Sequence, residues 1–170
     1  MSFFDEVGSL VSGFVGALTG DYPSPPIRVP VPEHTVFQSL VRQISAHFSA
    51  EIHWDEDGDT GAVLGVQSDS GIRTIVVYLK NGTLHVAAPC DIRFSPGCLP
   101  RDVAAFLSQR NAELPYADWD AINNGRQSYF TLKAQGRMGE FGIDTLKLAI
   151  RKMLVESLTI DIMLRKRGYC

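Results

Sequence analysis

Apolar residues recur along this chain at helix and strand periods, and their order alone predicts an architecture. In residues 3–18, Phe3, Val7, Leu10, Phe14 and Leu18 form one stripe with Phe4, Val11 and Val15 beside it, which predicts an amphipathic helix. Its other face carries Gly8, Gly13 and Gly16, each costing up to about 1 kcal/mol against alanine, so this helix needs a surface to lie on. Five prolines between Pro23 and Pro32 then predict an extended linker. The pattern divides the chain into residues 1–32, an amphipathic helix with a Pro-rich linker, and residues 33–170, one α+β domain.

Within that domain, Phe37, Leu40, Val41, Ile44 and Phe48 predict a helix from His34 or Thr35 to about Ser49, with Thr35 as its N-cap. Ile52 and Trp54 alternate with polar neighbours, and the acidic run 55–59 turns the chain. Strands follow over 63–68, 72–80 and 83–88; Asn81-Gly82 supplies the two positive-φ residues of a type I′ hairpin between the last two. Residues 89–96 read as a short continuation or edge strand, interrupted by proline. A second helix opens at Pro100, presents Val103, Phe106 and Leu107, and ends at Pro115. Residues 116–122 and 127–135 flank Asn123-Asn124-Gly125-Arg126 as another hairpin. A last helix over 143–164 carries Leu146, Ile150, Met153, Leu154, Ser157 and Leu158 on its apolar face, with Arg165-Lys166-Arg167 at the end where positive charge suits the dipole.

Composition narrows the function classes. With 45% hydrophobic and 21% charged residues in 170, the chain has the make-up of a globular protein that can build one core. A net charge of −3 argues against nucleic acid as a main partner. Charge is uneven: residues 1–85 hold 4 basic and 10 acidic side chains, residues 86–170 hold 12 and 9, so the halves can face different partners or each other. Cys90, Cys98 and Cys170 form no Cys-x-x-Cys pair, and a reducing, cytoplasmic location is expected. No apolar run is long enough to span a bilayer, and the N-terminal stripe has no basic residue on its polar face, which argues against membrane binding.

The candidate chemistry is thin. Asp55, Asp57 and Asp59 have calcium-loop spacing, but Thr60 stands where such a loop needs glycine and Val66 where it needs glutamate. His34, His47, His53 and His85 lack metal-ligand spacing, and the glycines around Arg137 lack the order of a phosphate loop. No metal, no cofactor and no catalytic residue is therefore expected. The alternative is a small-ligand-binding protein or small enzyme using His53, Asp55, His85 or Arg137 in a pocket between sheet and helices.

The order helix, three or four strands, helix, hairpin, long helix resembles the type III secretion chaperone-like fold, in particular the YbjN family. Leu99-Pro100-Arg101-Asp102, followed by the helix exit through Leu107, Asn111 and Leu114-Pro115, carries the likeness over roughly residues 34–165. The resemblance implies an antiparallel sheet flanked by helices in the order α-β-β-β-α-β-β-α, with the N-terminal amphipathic helix as an extension the core fold does not need. It also implies a non-enzymatic, homodimeric protein-binding module. Secretion chaperones of this shape hold an extended client segment, and YbjN members are described as sensory-transduction regulators. The residues expected to meet a partner are apolar ones that a monomer leaves uncovered: Phe3, Phe4 and Phe14 on the extension, and Phe106 and Leu107 on the second helix.

Overall fold

A computed structural model describes residues 32–55, 60–68, 71–138 and 142–169. The predicted N-terminal helix and nearly all of its linker, and with them Phe3, Phe4 and Phe14, lie outside the described residues, as do Asp57, Asp59 and Cys170. Helix α1 spans Glu33–Phe48 and buries Val36, Phe37, Leu40, Val41 and Ile44, one stripe at helical spacing. It starts slightly before the expected position: Pro32 precedes the first turn, its carbonyl accepts from Thr35 N–H, and Thr35 is not the cap. Glu33 in the first turn suits the positive end of the dipole. Ser49, at φ 50°, closes the helix in the left-handed region.

Four antiparallel strands follow: β1 (Glu51–Trp54), β2 (Gly61–Ser68), β3 (Gly71–Lys80) and β4 (Thr83–Pro89). Asn81 and Gly82, at φ 52° and 71°, make the predicted tight turn between β3 and β4. The segment after β4 continues as a single bridge, Phe94 to Ser128, as its prolines foretold. Helix α2 (Arg101–Arg110) and a 3₁₀ turn (Asn111–Glu113) carry the chain to β5 (Asp118–Asn123), which pairs with β6 (Ser128–Arg137). Strand β6 returns between β5 and β4, giving one six-stranded antiparallel sheet of order β1-β2-β3-β4-β6-β5. Helix α3 (Ile143–Lys166) closes the chain.

Period-two burial decides the layers. Ala62, Leu64 and Val66 on β2, Ile75, Val77 and Leu79 on β3, Leu84, Val86 and Ala88 on β4, and Phe130, Leu132 and Ala134 on β6 all point to one side. They join the apolar faces of α1, α2 and α3 in a single core. Each fully buried leucine, isoleucine or phenylalanine contributes about 1.5–3 kcal/mol, so this contiguous layer holds the fold. Ion pairs clamp α2 against α3: Arg110 to Glu156 at 2.7 Å, and Arg167 to Asp102 at 3.0 Å.

Candidate functional site

The opposite positions of the same strands make the second face of the sheet, and no described helix covers it. Across the middle run His53, Val63, Val76, Ala87 and Lys133, each paired with its neighbour across the strands. Next to them, Tyr78 and His85 stack ring on ring at 4.5 Å. Ile72 is 66% exposed and Val63 39%. Gly65 makes room here, because a Cβ on it would stand 3.3 Å from the Ile72 Cγ2. The face is thus mixed: Val63, Ile72, Val76 and Tyr78 form an apolar patch among polar positions such as Gln67, Thr74, Thr83 and Lys133, with Lys80 and Arg137 toward one end.

At that end, Lys80, Asn81, Thr83, His85, Gln135 and Arg137 line an open depression. Burial lowers the His85 pKa below 6.5, and Lys80 and Lys133 lower it further, so the imidazole is neutral at pH 7. Lys133 pairs with Asp120 at 2.5 Å, which holds that carboxylate below its ordinary range. His85 and Arg137 therefore share a depression, but on the uncovered side of the sheet rather than between sheet and helices. His53, beside Glu51 at 3.7 Å, and Asp55, accepting from the Thr60 hydroxyl, sit at the β1 edge. The four residues of the pocket alternative do not converge. No group of three His, Cys, Asp or Glu that could hold a metal ion occurs among the described residues.

The two residues expected on α2 part company. Phe106 is 42% exposed, whereas Leu107 is buried in the core and offers nothing to a partner. One turn on, Asn111 does what the helix-exit motif left unspecified: its amide accepts from Trp119 N–H at 2.6 Å and donates to Trp119 C=O at 3.1 Å. Those backbone groups point outward from edge strand β5, so Asn111 occupies part of the edge a new strand would use.

A charged cluster under the sheet went unread in the sequence. Arg73 on β3 is almost fully buried on the helix side, bonded to Asp161 at 2.5 Å, to the Ser157 hydroxyl at 2.8 Å and to Asp91. Asp161 also accepts from the N–H groups of Asp91 at 3.0 Å and Ile92 at 3.2 Å. Ser157 and Asp161 lie one turn apart on α3, so the cluster pins the C-terminal half of that helix to the start of β3 and to the chain leaving β4. Cys90 lies beside it, 3.8 Å from the Ser157 carbonyl; burial first and the Asp161 charge second push its thiol pKa far up, so it is no nucleophile at neutral pH.

No family profile matches the chain, and no curated protein does. Solved structures do. A chain of the HopA1–SchA chaperone–effector complex superposes with a TM-score of 0.54 at 10% identity, covering 78% of this chain and 98% of its own. YbjN from E. coli, described as a candidate transcription regulator, gives 0.51 at 13% identity over 77% and 92%. At such identities the likeness is one of fold. The chain is an α+β protein whose six-stranded sheet and three described helices share the fold of these chaperone-like structures.

Proposed function

We propose that the chain is a non-enzymatic, chaperone-like protein-binding module that takes up a partner's extended segment on the uncovered face of its sheet. The observation that carries this reading is the one-sided layering: all three described helices pack on one face, and the other presents Ile72 and Val63 to solvent beside half-buried Val76 and Tyr78. An exposed apolar patch of this kind on a sheet face suits the apolar side chains of a bound segment. The face is favoured over the β5 edge because Asn111 already bonds the outward backbone of Trp119. A chaperone–effector complex among the solved structures of this fold supports the class of role. In this reading the module acts in the cytoplasm as a homodimer, for which light scattering should give twice 18.7 kDa. Phe106, exposed on the helix side, and Phe3, Phe4 and Phe14, which the linker can carry to a surface, are further apolar groups open to a partner.

The test is affinity capture from the native cell extract with the intact chain and with Ile72→Asp, followed by cross-linking and peptide mapping. The expected result is one partner at fixed stoichiometry, cross-linked to residues 61–80 and held about tenfold less by the variant. Equal retention by Ile72→Asp, or no partner at fixed stoichiometry, overturns the reading.

A further inference from the structure

A second uncovered apolar surface lies on the far side of α3. Leu148, Val155 and Ile162 are 54%, 60% and 44% exposed, and they stand seven residues apart, so they form one line opposite the buried Leu146, Ile150, Met153 and Leu164. The line is about 21 Å long at 1.5 Å per residue. Basic side chains flank it: Arg151, Lys152, Arg165 and Lys166 are all exposed. The acids of this helix are engaged elsewhere, Asp144 with Lys147, Glu156 with Arg110 and Asp161 with Arg73. The line supplies one core row of a heptad on a basic, solvent-facing helix, a surface that an acidic amphipathic helix complements.

The chain itself contains the matching half. Phe3, Val7, Leu10, Phe14 and Ala17 follow a 4-3-4-3 spacing over about the same length, and the acidic Asp5, Glu6 and Asp21 are the only charged side chains before Arg28. The entry point also agrees. Glu33 at the start of α1 lies over Gly82 in the β3–β4 turn. Met138, at the end of β6, bonds the carbonyl of that same Gly82, four residues before Gly142 and the first turn of α3. The described chain therefore begins at the end of the sheet where α3 begins. The Pro-rich residues 23–32 can span about 30 Å in extended form, enough to lay residues 3–18 along α3.

We infer that residues 3–18 dock as an acidic amphipathic helix along the Leu148–Val155–Ile162 line of the same chain. The inference stands apart from the partner-binding reading, which concerns the opposite side of the molecule. Its test uses the full chain with a benzoylphenylalanine photoprobe in place of Phe14, irradiated as a mixture of isotopically heavy and light protein and mapped by mass spectrometry. Cross-links within one chain to peptides of α3, cut about tenfold by Val155→Asp and unaffected by Ile72→Asp, are expected. Heavy–light cross-links would make a second copy the occupant and overturn the inference. So would cross-links to residues 61–80 of the sheet, a yield indifferent to Val155→Asp, or capture of the segment by anionic phospholipid vesicles in preference to α3.

Discussion

At the scale of single residues, the least forgiving point is Arg73. A guanidinium and the Asp161 carboxylate, both almost without solvent, stabilise one another only as a set, since each alone would be a buried charge. Arg73→Met or Asp161→Leu alone should each cost about 3–5 kcal/mol in urea unfolding, while the double variant should recover most of that loss. Equal losses in single and double variants would mean that packing, not charge pairing, sets the cost. The cluster was present in the sequence as a contradiction. Arg73 occupies the same parity as Ile75, Val77 and Leu79, and Asp161 sits on the stripe of Ile150, Met153 and Leu164. Reading only apolar periodicity passes over two opposite charges at core positions of different elements, which is the signal that would have found them. His85 makes a second residue-scale prediction. With its folded pKa depressed, the folded state binds fewer protons than the unfolded one below pH 6.5, so stability is complete above that pH and is lost as pH falls through the folded value. Replacing it by His85→Gln should flatten the stability difference between pH 7 and pH 5 in parallel unfolding curves; an unchanged slope would remove His85 as its source.

Elements were legible where local chemistry decides them. The Asn81-Gly82 turn, the helix opening after Pro100 and the start of α3 at Ile143 all stand where the residues demand. Gly82→Ala should destabilise by about 1 kcal/mol because alanine pays for the left-handed region, while Asn81→Gly should be near neutral in the same thermal-unfolding comparison. Legibility failed where distant contacts decide. The start of α1 follows Pro32 and its carbonyl rather than the Thr35 hydroxyl, and whether Leu107 or Phe106 faces the core depends on packing against elements far along the chain, α3 among them. Asn111 illustrates the same limit, since its role rests on an edge strand that only the folded sheet brings beside it.

On the scale of the whole molecule, the layering rather than any cluster of reactive groups points to function. Among the described residues, three helices on one side of a six-stranded sheet leave the other side with Val63 and Ile72 in water, and the near-continuous apolar runs of β2 and β3 do not tell from sequence alone which face stays uncovered. The site residues anticipated from the sequence were apolar groups on helices, because a stripe on a helix is easier to recognise as surplus than every second residue of a strand. The most direct measurement of the central claim is methyl NMR of the intact chain during titration with the captured partner's segment. Binding on the sheet predicts shifts concentrated at Val63, Ile72 and Val76, with those of Leu148, Val155 and Ile162 unchanged. Shifts confined to α3, with the sheet methyls silent, would contradict it.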